Sequence, residues 1–340
     1  MLSLRSAEPG LVGWMISCTT FFTMDAPKNS PVRFALVSGT STGIGRATAL
    51  SLAAEGVNVF AGIRRSSDGD ALLAEASRLS ANAPSEKGRL IPVTLDVARA
   101  VSIQGAVNRV REEIGSLGLW ALVNNAGVAV SGPVEEVSSA EWRRQFDINF
   151  FGWIELIRST LPLLRQGVCV HGIHVPRIVL VSSIGGRVAQ PMLAPYTCSK
   201  WATTALGDSL RLELRRQGIG VSVIEPGAIA TAIWRKGETS LAEFGPDHSA
   251  RQFYAAEIDG LRKTGNRVAA AAIPPERAAE AILRALTASR APAHVLVGRD
   301  AKIAAFLKRW LPTSWFDIVL MWQFNIANLP VREPAKPIDS

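Results

Sequence analysis

The sequence predicts an α/β fold of the doubly wound kind, in which a parallel sheet of about seven strands has helices on both faces. Two observations support this prediction. From Val32 onward, short continuous runs of β-branched and other apolar residues alternate with amphipathic stretches, as expected for parallel strands buried on both sides. A glycine-rich turn also follows the first apolar run and precedes the first amphipathic stretch.

The individual elements follow from these patterns in chain order. Strands are predicted where apolar residues run on without interruption, at 33–38, 58–63, 89–95, 120–123, 177–182, 221–224 and 294–297. Helices are predicted between them where apolar residues recur at helical spacing, at 46–55, 72–79, 101–114, 140–164, 196–217 and 275–289. Gly56 and Gly218 are positioned to end two of these helices. In such a fold the ligand binds at the carboxyl ends of the strands.

Segments outside this pattern set the expected domain limits. Residues 31–300 are predicted to form a single domain, and residues 1–30 a non-essential extension. Within that extension Leu11–Phe22 is apolar but too short for a membrane span, so a weak signal peptide, a membrane-contacting arm or a mis-assigned start upstream of Met24 are the alternatives.

Three further segments receive an interpretation from their composition. Residues 230–273 are polar and mixed, and we interpret them as a substrate lid over the carboxyl edge of the sheet. Residues 301–340 form a predicted hydrophobic helical tail. The link Arg165–Pro176 contains two histidines without a third metal ligand, and a surface loop is expected there rather than a metal site.

The composition limits the classes of partner. Of the 340 residues 48% are hydrophobic and 19% are charged, a balance typical of a globular chain with a large core. The net charge is +8, but the basic residues are scattered, which favours a phosphate-bearing ligand over nucleic acid. Three cysteines without metal-ligand spacing favour a reducing, cytoplasmic location, with membrane association as an alternative.

The glycine-rich turn is the first candidate site. Its glycines would let the backbone approach a pyrophosphate, and the helix that follows would supply free N–H groups and the positive end of its dipole. A tight turn without a ligand is the alternative. The residues predicted to contact the cofactor here are Gly39, Ser41, Thr42, Gly43, Ile44 and Gly45.

Arg64 follows the second predicted strand, where the adenosine ribose is expected. A carboxylate at that place would accept the ribose 2′-hydroxyl and repel a 2′-phosphate, whereas Gly62-Ile63-Arg64-Arg65 provides none. An arginine there would form a charged fork with the 2′-phosphate. The sequence therefore favours NADP(H) over NAD(H), with two surface arginines as the alternative reading.

Tyr196, Lys200 and Ser183 form the candidate reaction centre. Tyr196 and Lys200 stand four residues apart, so they share one face of the predicted helix. An ammonium beside a phenol would lower the pKa of the phenol, and the hydroxyl of Ser183 could bind the same substrate oxygen. These groups indicate proton transfer to or from an alcohol and its carbonyl, coupled to hydride transfer. A Tyr-x-x-x-Lys pair on an ordinary solvated helix face is the alternative.

Together these residues resemble the short-chain dehydrogenase/reductase family. The resemblance extends from residue 32 to about residue 231, and it rests on motifs in a fixed order: Ser38–Gly45, Leu95-Asp96-Val97, Asn124-Asn125-Ala126-Gly127, Asn149, Ser183, Tyr196-x-x-x-Lys200 and Pro226-Gly227. The stretches 208–214 and 223–227 are similar to the branch that contains 17β-hydroxysteroid, retinol and 3-hydroxybutyrate dehydrogenases. The resemblance implies a Rossmann-type sheet and homodimers or homotetramers.

The resemblance also implies a role for each motif. Tyr196 would be the general acid and base, Lys200 would hold the nicotinamide ribose, and Ser183 would orient the substrate oxygen. Asn149 would anchor a water that connects Lys200 to solvent, and Asp96 would contact the adenine. Further cofactor contacts would come from Asn125, Ala126, Gly127, Pro226, Gly227 and Thr231.

The expected reaction is therefore the interconversion of an alcohol and its carbonyl with NADP or NAD. Apolar residues of the lid region and of Gln190–Leu193 suggest a steroid- or retinoid-like substrate, unless they form ordinary core; they are Ile233, Trp234, Leu241, Phe244, Phe253 and Tyr254. A non-catalytic NADP-binding regulator, a short hydroxy-acid dehydrogenase, or an epimerase or dehydratase on the same fold are the alternatives. The tryptophan-rich tail is expected to pack on the core or on a partner subunit, with peripheral membrane contact as the second possibility.

Overall fold

The fold is known from a computed structural model that describes residues 32–80, 88–171, 175–231 and 241–327. The chain divides into two units, residues 1–31 and 32–340, and every described residue belongs to the second. The predicted extension 1–30, the side chains of residues 169–174 in the histidine-containing link, Ile233 and Trp234, and the end of the tail lie outside the described residues.

One parallel sheet of seven strands forms the centre of the second unit. The strands are β1 (Phe34–Val37), β2 (Asn58–Ile63), β3 (Leu90–Thr94), β4 (Ala121–Asn124), β5 (Arg177–Val181), β6 (Gly220–Pro226) and β7 (His294–Val297). Their order in the sheet is β3-β2-β1-β4-β5-β6-β7. The chain therefore reverses direction across the sheet between β1 and β4, which confirms the predicted doubly wound class.

Helices cover both faces of this sheet. They are α1 (Gly43–Ala54), α2 (Ser66–Ser80), α3 (Ala100–Ile114), α4 (Ser139–Phe146), α5 (Gly152–His171), α6 (Ala194–Glu213), α7 (Arg251–Ala270), α8 (Pro275–Thr287), α9 (Arg299–Trp310) and α10 (Thr313–Gln323). Within the described residues, no helix is long and apolar enough to cross a lipid bilayer.

Alternation along the strands creates two cores. In β1, Leu36 packs into a cluster with α3, α5 and α6, whereas Ala35 and Val37 face the opposite side and pack with α1 and α8. All three side chains have no exposed surface. A strand that is buried on both faces needs an apolar residue at nearly every position. Continuous apolar runs, rather than alternating apolar and polar residues, therefore identified these strands in the sequence.

Two segments differ from the sequence-based expectation. The link expected to be a surface loop from Arg165 continues α5 as far as His171. It remains helical because Gly167 fits against the carbonyl of Leu119 and Val168 packs against the buried core. The long helix predicted at 140–164 is divided, since a π-helical turn at Asp147–Phe151 separates α4 from α5.

Candidate functional site

A cavity of about 1230 Å³ opens at the carboxyl ends of the strands, at the point where the strand order reverses. This is where a doubly wound sheet binds its ligand. Except for Gly45, the predicted cofactor-binding residues line it, together with Ser183, Tyr196 and Lys200 of the predicted catalytic group; Asn149 does not line it. The structure thus brings together residues, such as Gly39 and Thr231, that are separated by more than half of the chain.

The glycine-rich turn forms one wall of this cavity. Gly39 and Gly43 have φ angles of +70° and +59°, a backbone region that favours glycine. Gly45 is buried, and a Cβ added there would overlap the carbonyl oxygen of Gly39 and the amide of Asn125. Thr42 precedes α1 and makes no side-chain cap, so the N–H groups of the first turn remain available to an anion.

The segment after β4 is held against this turn by hydrogen bonds. The hydroxyl of Ser38 accepts from the backbone N–H groups of Asn125 and Ala126, at 3.0 and 3.1 Å. The side-chain amide of Asn125 donates to the carbonyls of Ser38 and Gly39, at 3.0 and 3.1 Å. The predicted cofactor residues Asn125, Ala126 and Gly127 therefore form a braced edge of the cavity.

The residues expected at the adenosine end lie at the tips of β2 and β3. Arg64 lines the cavity and is exposed, and within the described part of the chain no carboxylate pairs with it, whereas neighbouring Arg65 pairs with Asp68 at 3.2 Å. Asp96 also lines the cavity, and one of its carboxylate oxygens accepts from the N–H of Ala98 at 3.1 Å. Its other oxygen is not needed for this turn.

The loop after β6 closes the other end of the site. Gly227 donates its N–H to the carbonyl of Val297 at 2.9 Å and has no room for a side chain beside Asp300. The carboxylate of Asp300 accepts from the N–H of Ala228 at 2.6 Å. Thr231 lies against Gly43, so the loop after β6 meets the start of α1.

Ser183 and Tyr196 face each other across the reaction centre. Ser183 precedes the short 3₁₀ turn Ile184–Gly186 after β5, and its hydroxyl accepts from the N–H of Gly185 at 3.0 Å. The side chain of Ser183 also acts on the Tyr196 phenol, whose pKa it lowers against the larger effect of burial. Gly185 leaves room for the tyrosine ring, because an added Cβ would lie 3.2 Å from its Cε1. Both hydroxyls can therefore meet a single substrate oxygen.

Lys200 lies beneath this pair and is only 4% exposed. Its ammonium nitrogen donates to the carbonyl of Val181 at 2.8 Å. The same nitrogen lies 4.9 Å from the ring centroid of Trp153 and 5.9 Å from that of Tyr196, so two aromatic faces stabilise the cation. Burial nevertheless lowers the pKa of Lys200 to about 7.

In this structure burial outweighs the expected lowering of the Tyr196 pKa by Lys200, and that role of Lys200 stays a prediction. Burial raises the pKa of the Tyr196 phenol, and the side chain of Ser183 only partly opposes this effect. The reason is that burial acts on both residues, so a lysine with a pKa of about 7 carries only part of its charge near neutral pH.

Asn149 occupies the π-helical turn between α4 and α5 and is fully buried. Its side-chain oxygen accepts from the N–H of Val128 at 2.9 Å, and its amide donates to the carbonyl of Val128 at 3.0 Å and the hydroxyl of Ser199 at 3.2 Å. Its side chain thus links the loop after the Asn-Asn-Ala-Gly motif to α6. The water-anchoring role stays a prediction.

Sequence reasoning missed two partners of this link. Gln145 is buried and holds the N–H of Val130 at 2.8 Å and the carbonyl of Val128 at 2.9 Å. Trp153 donates its indole N–H to the carbonyl of Ala126 at 2.8 Å, besides facing Lys200. The polar Gln145 in the predicted helix 140–164 was the only sequence signal for this role. The sequence could not show that its partners would be Val128 and Val130, which are 17 and 15 residues away.

A charged cluster beside the site was also missed. Glu225, which directly precedes Pro226, is fully buried and accepts from Arg187 Nε at 2.7 Å. Its second oxygen lies 3.5 Å from Nδ1 of His294, whose Nε2 lies 3.0 Å from Asp208. Hydrogen bonding to Glu225 is the largest cause of the raised pKa of His294.

The proposed lid residues are only partly at the cavity. Leu241 lines it, while Phe244 is buried in a small cluster with Leu241 and α7. Phe253 is exposed, and Tyr254 donates to Glu135 at 2.6 Å. Instead, α9, α10 and the residue after α10 contribute apolar walls that the sequence patterns did not assign to the site: Ile303, Leu307, Phe316, Val319, Leu320 and Phe324.

The residues present fit a nicotinamide dinucleotide. The turn around Gly39–Gly45 has the close approaches and free N–H groups that a pyrophosphate needs. Arg64 and Asp96 stand at one end of the cavity, and Pro226, Gly227 and Thr231 stand at the other, beside Tyr196 and Lys200.

Comparison with known proteins agrees with this geometry. Residues 33–241 match the model of the family described as short chain dehydrogenase. An NADPH-dependent 3-dehydrocapnine reductase from Ornithobacterium rhinotracheale is 36% identical over 208 residues, which is 61% of this chain and 69% of that protein. A 17-beta-hydroxysteroid dehydrogenase type 6 from Bos taurus is 32% identical over 298 residues, covering 85% of this chain and 87% of the relative.

A solved structure supports the same assignment. A short-chain dehydrogenase from Streptomyces avermitilis superposes with a TM-score of 0.67 at 27% sequence identity, over 88% of this chain and 99% of that chain.

Proposed function

Because the chain belongs to the short chain dehydrogenase family, whose members act on CH–OH groups with NAD or NADP, we propose that it interconverts an apolar alcohol and its carbonyl. In this proposal Tyr196 is the general acid and base. The observation that carries it is that Ser183, Tyr196 and Lys200 line the same cavity as the glycine-rich turn.

These three residues divide the work at the substrate oxygen. The nicotinamide supplies or accepts the hydride when it is bound. Ser183 donates its hydroxyl proton to the substrate oxygen, while its oxygen accepts from the N–H of Gly185. Tyr196 gives that oxygen a proton during reduction and removes it during oxidation. Lys200 stabilises the phenolate that remains.

An apolar substrate is favoured by the walls next to Tyr196. Val128, Val188 and Leu193 line the cavity near the reaction centre, and the apolar side chains of α9 and α10 extend this lining. A pocket binds mostly through such surface and uses few polar groups for orientation. The 17-beta-hydroxysteroid dehydrogenase relative favours a steroid-like alcohol or ketone. A retinoid would suit the same lining.

NADP(H) is the proposed cofactor in preference to NAD(H). Arg64 directly follows β2 and lines the cavity. The segment Gly62–Arg65 contains no carboxylate that would repel a 2′-phosphate. A guanidinium can hold a phosphate with two parallel hydrogen bonds. The similarity to an NADPH-dependent reductase points the same way.

The proposed partners are further copies of the chain, in a homodimer or homotetramer, and a membrane surface that the protein contacts peripherally. Three tryptophans of α9 and α10 are exposed, and no described helix could cross the bilayer. A cytoplasmic location stays a prediction from the odd number of thiols.

Replacement of Tyr196 by Phe tests the catalytic proposal. It removes the proton donor but keeps the ring against Gly185, so turnover should fall at least about a thousandfold, consistent with lost acid–base catalysis. Binding of NADPH, measured by fluorescence titration, should stay within about threefold. A panel of steroid, retinoid and short hydroxy-acid substrates with each cofactor identifies the substrate class. Undiminished turnover by the variant would refute the role of Tyr196.

A further inference from the structure

The C-terminal helices α9 and α10 expose apolar side chains in a helical pattern. In α9 these are Ile303, Phe306 and Trp310, at positions i, i+3 and i+7, with 59, 63 and 66% of their surface exposed. In α10 the corresponding residues are Trp315 and Trp322, which are 64 and 61% exposed. Such a stripe normally faces a core, so its exposure indicates a binding surface.

The opposite side of α10 fixes this helix to the domain. Phe316 and Phe324 are 2 and 3% exposed. The carbonyl of Gln323 accepts from Thr264 at 2.9 Å and from Arg267 at 3.0 Å, both on α7. The tryptophans are therefore presented outward by a helix that is already packed and hydrogen-bonded, and their exposure does not come from a missing core.

Basic residues border the apolar surface. Lys308 lies 5.2 Å from the ring of Phe316, and Arg309 lies 5.7 Å from the ring of Trp310. Lys302 is exposed on the same helix. Apolar and tryptophan side chains bordered by Lys and Arg are typical of helices that lie in the interface of an anionic membrane. A protein interface would instead tend to exclude lysine.

The apolar surface continues into the cavity. Ile303 is 59% exposed and Val319 is 38% exposed, and both also line the cavity. Leu307 and Leu320 follow further inside. One mouth of the cavity therefore opens among the side chains that would face the lipid. A molecule dissolved in the acyl chains could pass this mouth without crossing water, which would suit a substrate of low solubility.

We infer that α9 and α10 form a peripheral membrane-docking surface, which rests on anionic lipid and admits an apolar alcohol or ketone from the bilayer into the cavity. The entry of substrate rests on the proposed function, whereas the docking itself does not. Trp310, Trp315 and Trp322 enter the interfacial region, and Lys308 and Arg309 approach the lipid phosphates.

Vesicle binding by the full chain tests the docking surface. The protein is co-sedimented with vesicles of phosphatidylcholine plus phosphatidylglycerol, and with phosphatidylcholine alone. We expect binding to the anionic vesicles, at least about tenfold weaker in the double variant Trp315→Ser/Trp322→Ser. Arg309→Glu should weaken binding to anionic vesicles about fivefold or more and leave the neutral vesicles unaffected.

A control variant separates this surface from general stickiness. Val101→Ser/Leu212→Ser removes two apolar side chains that are 82 and 65% exposed elsewhere, and it should bind vesicles as the wild type does. Circular dichroism and NADPH binding establish that each variant is folded. Absence of vesicle binding by the wild type, or an equal loss in the control variant, would overturn the inference.

Two further readouts separate the alternatives. If Trp315→Ser/Trp322→Ser converts an oligomer to a monomer and the wild type does not bind vesicles, a second copy covers the surface and the inference is wrong. Turnover is measured separately with substrate added in detergent or in vesicles. Vesicle binding without turnover of any apolar alcohol refutes the proposed function and leaves the docking intact, whereas turnover without vesicle binding refutes the docking.

Discussion

Replacement of Lys200 by Met should increase the stability of the protein and abolish its activity. In the folded protein Lys200 is only 4% exposed to solvent, and this burial lowers its pKa from 10.5 to about 7. A shift of about 3.5 units corresponds to about 5 kcal/mol. This gain in stability is partly offset because the carbonyl of Val181 loses its hydrogen-bond donor, at a cost of about 2 kcal/mol. The variant should therefore be about 3 kcal/mol more stable at pH 6.

The effect should depend on pH in a definite direction. Below about pH 7 the folded state carries the buried ammonium, so the whole penalty is present. Between pH 7 and 10.5 the folded protein has lost this proton while the unfolded chain keeps it, so the wild type gains stability as pH rises. The advantage of the variant should shrink by about 4 kcal/mol between pH 6 and pH 10.

Urea denaturation from pH 6 to pH 10, followed by circular dichroism, measures this difference. Lys263→Met is the matched control, because Lys263 is an exposed lysine on α7 and should show almost no effect at any pH. A stability difference between wild type and Lys200→Met that stays within about 1 kcal/mol over this range would refute the reasoning. It would mean that Lys200 keeps an ordinary pKa in the folded protein.

Three more outcomes are expected. Arg64→Asp should lower kcat/KM with NADPH about 10- to 100-fold and change kcat/KM with NADH less than about threefold, measured by steady-state kinetics. Gly45→Ala should abolish NADPH binding in a fluorescence titration, because the methyl group overlaps the glycine-rich turn, whereas Gly105→Ala on α3 meets no atom within 4 Å and should bind normally. His294→Gln should lower the free energy of unfolding most below about pH 6.5, because the hydrogen bond to Glu225 raises the pKa of His294. The stabilisation by protonated His294 is lost as the pH rises through that raised pKa. Urea denaturation at several pH values measures the free energy of unfolding of both proteins.

The sheet could be predicted because parallel strands leave a local signal. Ala35, Leu36 and Val37 are buried on both faces, so every position in β1 had to be apolar. The glycine-rich turn was equally readable, since positive φ and close backbone approach at Gly39 and Gly43 restrict the residue type at the position itself. Both features are properties of a few consecutive residues.

The predictions that were wrong or incomplete concern features that depend on contacts between residues distant in the sequence. Nothing near Arg165 predicts that α5 continues to His171, because the reason is the packing of Gly167 against the carbonyl of Leu119. The π-helical turn around Asn149 likewise follows from hydrogen bonds to Val128 and Ser199. The outward stripe on α10 has the same spacing as a core-facing stripe, so periodicity alone could not decide which side would be buried.

Burial explains why the chemistry of Tyr196 and Lys200 was only half predictable. Their spacing fixed the shared helix face, but the pKa of each group depends on how much water remains around it, which is a tertiary property. In the folded protein burial raises the pKa of Tyr196 and lowers that of Lys200, so both groups are driven toward their neutral forms. A site that reacts through a phenolate must overcome this, and a bound substrate oxygen held by Ser183 gives the phenol proton a destination within the site. In the proposed mechanism the buried lysine serves the reaction at the expense of stability, which is why its replacement should separate activity from stability.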